Sequence, residues 1–443
     1  MLRALRHPTR LLPAAFVAAL IVGTGLLLLP AARTAGQSAP PLTALFTAAS
    51  SVFITGMSTV DTATYWSPLG QGIILALIQV GGFGIMTFAT VLGLMVSRRL
   101  ALQTRLVAQA ETRAINLGEV RNLLLRVLAM MAGFELLIAV VLTVRFRIAY
   151  DESLATAAWH GVFHAVSAFN NAGTTLFSDS FMRFVADPWI CGTVAVAVVL
   201  GGLGFPVVLE LSREWRTPRL WSIHTRLTVW GTALLLVVGV AVVTALEWSN
   251  PATLGPLDWP GSLVGGMFAG VNPRTAGFNS IDYAAVRPET LAFTDVLMFI
   301  GGGSAGTSGG IKVTTFFLLA YVIWAEVRGE DDVNIAARRV SPHTLRQAVT
   351  VALLGVAAVA AGTMVLLLVT DLPFDRVLFE ATAAFSTAGL STGVTASLPA
   401  AGQVVLVALM FVGRVGTITV ASALALRHRK LRFRRPEERP IIG

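Results

Sequence analysis

Apolar positions in this chain gather into eight long stretches separated by short polar connectors. They run from Leu11 to Pro30, Leu69 to Val96, Leu123 to Val144, Trp189 to Leu211, Leu227 to Leu246, Leu291 to Ala325, Ala348 to Val369 and Val404 to Leu426. A helix needs roughly 18 to 20 apolar residues to cross the hydrocarbon core of a bilayer, so the pattern predicts eight transmembrane helices. Between the two stretches of each successive pair lies a shorter apolar window. The four windows align without a gap: FTAASSVFITGM from Phe46, FHAVSAFNNAGT from Phe163, MFAGVNPRTAGF from Met267 and FEATAAFSTAGL from Phe379. Ala is third and Gly eleventh in every copy, and Gly56, Gly173, Gly277 and Gly389 lie 104 to 117 residues apart. Self-similarity at a near-constant period marks an internal repeat. The expected fold is an all-α polytopic membrane protein of four parallel repeats, each a helix, a re-entrant pore loop and a helix, with pseudo-fourfold symmetry around a central pore. The repeats are placed at residues 1–98, 99–212, 213–328 and 329–426, with a basic tail at 427–443.

Composition agrees with a membrane chain. Hydrophobic residues make up 55%, charged residues 13%, and the mean hydropathy is +0.74, far above soluble proteins. Arg3, Arg6 and Arg10 before the first stretch and small residues near Ala31 resemble a secretory signal. The length of that stretch, and the outer helix it supplies to the first window, favour a retained helix. Lys and Arg concentrate in the amino terminus, the connectors Arg98 to Arg126, Arg213 to Arg226 and Arg328 to Arg346, and the tail Arg427 to Arg435. All fall on one side of the predicted topology, which the positive-inside rule makes cytoplasmic. Both termini are then cytoplasmic, and the windows enter from the opposite face, where Asp61, Asp151, Asp179, Asp187, Asp258, Asp282 and Asp371 form a more acidic rim. Topology and anionic lipid headgroups account for the net charge of +9, so no nucleic-acid partner is expected. The single cysteine, Cys191, excludes an intrachain disulfide and a cysteine metal cluster. With no metal-ligand cluster, nucleophile–base pair or acid pair in the sequence, no enzymatic activity is expected.

Each repeat crosses the membrane an even number of times, so all four share one orientation and can surround an axis along the membrane normal. Non-helical backbone at membrane depth is tolerated where it is buried in protein or lines a water-filled cavity. The window ends fit the second case: Ile54-Thr55-Gly56, Asn171-Ala172-Gly173, Thr275-Ala276-Gly277 and Thr387-Ala388-Gly389. Glycine permits backbone turns that aim consecutive carbonyls at one axis. Four such strands can replace the hydration shell of a monovalent cation, and the absence of a carboxylate from all four argues against divalent selectivity. These twelve residues are the candidate selectivity filter, in segments 54–57, 171–174, 275–278 and 387–390.

A second register follows 23 to 27 residues after the filter glycines, at Val80-Gly81-Gly82, Leu200-Gly201-Gly202, Ile300-Gly301-Gly302 and Val412-Gly413-Arg414. The column of Gly82, Gly202 and Gly302 holds Arg414 in the fourth copy. A charge at mid-membrane costs on the order of 3 kcal/mol and normally faces water or a partner. Arg414 is expected to project into the pore in the room its glycine counterparts leave. The third inner stretch carries six glycines in ten residues, Gly301, Gly302, Gly303, Ser304, Ala305, Gly306, Thr307, Ser308, Gly309 and Gly310, followed by Ile311 and Lys312. Each glycine weakens a helix by about 1 kcal/mol relative to alanine, so the span is expected to break here. A phosphate-binding P-loop would need Gly directly before Lys and Ser or Thr after it, which this segment lacks. Residues 301–312 are expected to form an intramembrane gate loop, with Lys312 marking the return to the cytoplasmic half.

Taken together, the Ile54-Thr55-Gly56-Met57 segment, Ala168-Phe169-Asn170-Asn171-Ala172-Gly173, Asn272-Pro273-Arg274-Thr275-Ala276-Gly277-Phe278, the segment Phe385 to Gly393, the glycine-rich loop and Gly413-Arg414-Val415-Gly416 resemble the Trk/Ktr/HKT superfamily of potassium transporters. The resemblance covers nearly the whole chain and is strongest to bacterial Ktr membrane subunits. It implies potassium uptake across the bacterial inner membrane, K+ as the transported ion with no organic cofactor on this chain, a homodimer with one pore per protomer, and cytoplasmic RCK-type regulatory subunits that bind nucleotide (ATP/ADP or NAD). It also implies that the loop and Arg414 form the gating constriction. Met57 and Thr174 depart from the residues usual after those two filter glycines, which bears on fine selectivity and rate. Glycine in all four copies favours potassium over sodium. The alternative to passive flux is a sodium- or proton-coupled symporter, which needs an acid or histidine in the pathway. His160, His164 and Glu380 are the candidates, and their place in the pore helices marks them as mainly structural.

Overall fold

The structure, a computed structural model, describes residues 8–105, 117–336 and 338–416. The amino-terminal arginines Arg3 and Arg6, part of the Arg98 to Arg126 connector and the Arg427 to Arg435 tail lie outside the described residues. The chain is mostly helical, and its elements follow the sequence repeats. The first copy comprises α1 (Pro8–Leu27), α2 (Pro41–Val52), the single turn α3 (Thr62–Tyr65) and α4 (Pro68–Arg105). The second has α5 (Leu117–Ala149), α6 (Leu154–Phe169), α7 (Pro188–Leu203) and α8 (Phe205–Glu214); the third has α9 (Ile223–Glu247), α10 (Trp259–Val271), α11 (Pro288–Phe299) and α12 (Val313–Val327). A small hairpin of β1 (Asn334–Ile335) and β2 (Arg338–Arg339) precedes the fourth copy. That copy holds α13 (Pro342–Val369), α14 (Phe374–Ser386) and α15 (Ala400–Phe411), followed by a π turn at Val412–Gly416.

Local chemistry sets the helix starts. Ser153, Ser222 and Ser341 each accept a hydrogen bond from the backbone N–H three residues on, as Asp258 does from Gly261, which satisfies donors the first helical turn leaves free. Proline opens α2, α4, α7, α11 and α13, where its missing N–H costs nothing.

Among the described residues, four helices are long and apolar enough to cross a membrane by themselves: residues Pro68–Thr87, Leu124–Ala149, Ile223–Glu247 and Pro342–Val369. The stretch read as one span from Trp189 to Leu211 is bent by 99° between α7 and α8. Gly204, with φ +89°, makes the bend, and Pro206 behind it cannot donate to a continuing helix. The stretch Leu291 to Ala325 is broken between α11 and α12 at the glycine-rich segment, as its composition predicts. The remaining apolar helices, Leu12–Leu27, Pro41–Val52, Val313–Val327 and Ala400–Gly416, are shorter.

Burial separates the helices into two layers. α2, α6, α10 and α14 are largely enclosed, whereas α5, α9 and α13 turn leucine and valine outward, with Leu137 62% and Leu368 79% exposed. An apolar outer surface of this kind suits lipid rather than water. The inner helix of each copy packs on the enclosed helix of the next, α4 on α6, α7 on α10, α11 on α14, and α15 back on α2. The four copies therefore close into a ring in chain order.

Candidate functional site

The four enclosed helices end one to four residues before the predicted filter segments, and the backbone then passes twice through the left-handed region. φ is +57° at Ile54 and +88° at Gly56, +56° at Asn171 and +63° at Gly173, +67° at Thr275 and +77° at Gly277, and +49° at Thr387 and +78° at Gly389. Left-handed backbone costs a residue bearing a Cβ roughly 1–2 kcal/mol. Four non-glycine residues held there in one register mark a conformation that the surroundings impose. The intervening N–H turns back onto the helix end: Thr55 donates to the Ser50 carbonyl at 2.8 Å, Ala172 to Ser167 at 2.7 Å and Ala388 to Ala383 at 2.8 Å. The third copy differs by one residue, with Ala276 donating to Asn272 at 2.9 Å.

The structure brings the four candidate filter segments together around their glycines. A Cβ built on Gly56 would strike the Ala172 carbonyl oxygen; on Gly173 it would lie 2.8 Å from the Ala276 oxygen; on Gly277, 3.0 Å from the Ala388 oxygen; and on Gly389 it would strike the Thr55 oxygen. Each glycine thus abuts the carbonyl of the next copy, and the fourth returns to the first. Beside Gly56 and Gly173 opens a cavity of about 310 Å³, rich in hydroxyls from Ser50, Ser51, Ser58, Thr175 and Ser178 and bordered by Asp61.

The inner-helix glycines seat the helix ends. A Cβ on Gly81 would collide with the Val52 carbonyl, one on Gly201 with that of Phe169, and one on Gly413 with that of Phe385. All three carbonyls lie four residues before a candidate filter glycine. In the third copy Gly301 faces the Gly309 carbonyl instead, because the loop occupies that place. The next column differs from the sequence reading. Room beside Gly82 is filled by the Asn170 side chain, and room beside Gly202 and Gly302 by Ser308, not by Arg414. The loop is the nearer neighbour, and Arg414 meets it one residue away.

Residues 301–312 form a loop whose neck is closed by Gly301 N–H donating to the Ile311 carbonyl at 2.8 Å and Val313 N–H to Gly302 at 3.0 Å. Gly303 and Thr307 N–H donate to the Gly202 and Gly201 carbonyls at 2.8 and 3.1 Å, which ties the loop to the end of α7. Gly204 lies against Ser304 and Gly306, so the bend between α7 and α8 accommodates the loop. Thr307 Oγ1 donates to Asn171 Oδ1 at 2.8 Å, and Gly309 packs on Ser386 and Thr387, so the loop touches the second and fourth candidate filter segments. Ser304 shares a 3.0 Å hydrogen bond with Thr314, while Ala305 and Gly310 adopt positive φ. Arg414 is buried and Nη1 donates to the Thr307 carbonyl; its Nε and Nη2 have no hydrogen-bond partner among the described residues. Lys312 donates from Nζ to the Ser308 carbonyl rather than to an acid. Two cationic side chains therefore converge on adjacent carbonyls of one short loop.

Several residues in this region carry no periodic signal in the sequence. Arg274 is buried behind the third strand and donates from Nη2 to the Gly301 carbonyl at 3.1 Å. Asn170 joins the buried Glu135 and the half-buried Gln79 in a hydrogen-bonded ring. His164 and Glu380, which share a column of the repeat, serve matching roles. The N–H of Leu176 donates to His164 Nε2 at 3.2 Å and that of Thr392 to Glu380 Oε1 at 2.9 Å, each twelve residues on. Glu380 also accepts from Ser391 at 2.7 Å and Thr395 at 2.6 Å, so its carboxylate fastens the segment after the fourth strand. His160 is paired with Glu152 at 2.9 Å. Among the described residues no group of His, Cys, Asp and Glu is arranged to hold a metal ion.

Comparison with known proteins follows the same outline. A sequence model described as "TrkH: Cation transport protein" matches residues 3–432. The chain is 36% identical over 418 residues to Ktr system potassium uptake protein B of Bacillus subtilis, covering 94% of this chain and 93% of that one. It is 35% identical over 438 residues to the protein of the same name from Vibrio alginolyticus, covering 98% and 94%. With potassium/sodium uptake protein NtpJ of Enterococcus hirae it shares 31% identity over 442 residues, 98% of this chain and 97% of that one. The crystal structure of the potassium transporter TrkH from Vibrio parahaemolyticus superposes with a TM-score of 0.69 at 16% identity, covering 92% of this chain and 84% of that one. Transport, not enzymatic catalysis, is the business of this family, and the chain belongs to it: it is a membrane protein of the TrkH family of cation transport proteins.

Proposed function

We propose that this protein takes up potassium across the bacterial inner membrane through a carbonyl-lined filter at residues 54–57, 171–174, 275–278 and 387–390, and that an intramembrane gate controls the passive flux. The observation that carries the reading is the closed ring in which Gly56, Gly173, Gly277 and Gly389 each abut a backbone carbonyl of the next copy. Carbonyls converging on one axis suit a dehydrated monovalent cation. Two of the relatives are named potassium uptake proteins and one a potassium/sodium uptake protein, which supports potassium as the transported ion.

The gate in this reading is residues 301–312 together with Arg414. The four repeats at 1–98, 99–212, 213–328 and 329–426 make eight crossings, the broken and bent inner helices counting as one each, and both termini are cytoplasmic. The protein works as a homodimer, regulated by cytoplasmic nucleotide-binding subunits that dock on its basic face. Passive flux is favoured over ion coupling because His164 and Glu380 are committed to holding backbone after the second and fourth strands.

Purified protein in planar bilayers, with its regulatory partner and nucleotide present, is expected to give a reversal potential that follows the potassium Nernst value. A reversal potential that moves with pH or sodium at fixed potassium would replace the pore reading with a symporter.

A further inference from the structure

The Gln79, Glu135 and Asn170 side chains come from three helices and two repeats: α4 of the first copy, and α5 and the end of α6 of the second. Asn170 Nδ2 donates to Gln79 Oε1 at 3.0 Å and to Glu135 Oε1 at 2.9 Å, and Gln79 Nε2 donates to Glu135 Oε2 at 3.1 Å. Glu135 is buried and no Lys or Arg among the described residues pairs with it. Glycine at 82 is what admits the Asn170 side chain, which a Cβ there would displace. Asn170 is followed directly by Asn171, the left-handed first residue of the second filter strand.

Hydrogen-bond direction restricts what can occupy this ring. One atom of Asn170 faces both neighbours, so it offers the same kind of group, donor or acceptor, to each. If residues 79 and 135 were both carboxamides, donor–acceptor matching at Asn170 would force like to face like across the remaining side, nitrogen to nitrogen or oxygen to oxygen. Reversing any amide moves the mismatch without removing it. A carboxylate accepts at both oxygens and so resolves it. The ring therefore requires one carboxylate and one carboxamide, and it is indifferent to which of the two positions carries which.

We infer that Glu135 is a positioning residue for potassium discrimination: through Gln79 and Asn170 its carboxylate fixes the start of the second filter strand against the inner helix of the preceding repeat. The inference rests on the filter reading above and adds a residue to it. An unsatisfied buried polar group is costly, and in a ring this close to the strand the cost is relieved by letting the strand shift.

The test compares potassium and sodium fluxes in proteoliposomes for the unaltered chain, Glu135→Gln, and the exchange Gln79→Glu with Glu135→Gln. The single change is expected to lower the potassium-to-sodium flux ratio at least threefold, and the exchange to restore it to within twofold. A ratio unchanged in Glu135→Gln, or an exchange no better than the single change, would overturn the inference. If Glu135→Gln fails to reach the membrane, the exchange decides alone: a folded and selective protein upholds the ring, and a second failure overturns it. Flux without potassium preference in the unaltered chain would instead sink the filter reading, so the two failures are told apart.

Discussion

Gly56 is constrained twice, by a φ of +88° and by the Ala172 carbonyl that would meet any side-chain carbon. Gly56→Ser is therefore expected to push the first strand away from the second and widen the ring. The measurable outcome is a fall in the potassium-over-sodium permeability ratio of several fold; an unchanged ratio would contradict the filter assignment. The close approach at Gly56, Gly173, Gly277 and Gly389 was legible because a backbone demand recurs in four copies and survives as one residue type. Glu135 was not legible. It lies 35 residues from Asn170 and 56 from Gln79, and nothing in a single acidic residue within an apolar stretch tells which helices will meet there. The matched roles of His164 and Glu380 were hidden for a related reason. Their column in the repeat was visible, but an imidazole and a carboxylate are different groups that share only the ability to accept from an N–H.

At the scale of elements, the inner helices owe their glycines to close approach. Gly201→Ala would press a methyl group on the Phe169 carbonyl at the end of α6. Overpacking of this kind costs about 1–3 kcal/mol, so the variant is expected to melt earlier in detergent than the parent, and equal melting would count against the contact. The sequence exposed this register but led to a different use for its second column, because a glycine records the absence of a side chain and not what fills the space. Ser308 and Asn170 fill it. The bend at Gly204 had a signal in Gly204-Phe205-Pro206, masked by the unbroken apolarity of the stretch. The break at residues 301–310 was plain because six glycines outweigh hydropathy. Arg414 binds this loop at the Thr307 carbonyl. Arg414→Ala, or a deletion within residues 303–309, is therefore expected to raise potassium flux without the regulatory partner. Lower flux at normal expression would remove the loop from the role of gate.

At the scale of the whole molecule, the helical, membrane-embedded class followed from hydropathy alone. The closure did not. Hydropathy gives each crossing but not its neighbours, and only packing places α15 of the fourth copy against α2 of the first. The rings of Phe53 and Phe411 meet there at 5.7 Å, and Gly389 meets the Thr55 carbonyl. This seam has a consequence for biogenesis. A ribosome delivers α2 well before α15, so α2 enters the bilayer with one flank bare until α15 follows. The polar backbone at Ile54 to Gly56 must meanwhile be shielded by water, by lipid headgroups or by the insertion machinery. Under the proposed filter reading, the ring closes only once α15 has followed, and a nascent chain without it has no closed path through which the membrane's ion gradients could run down.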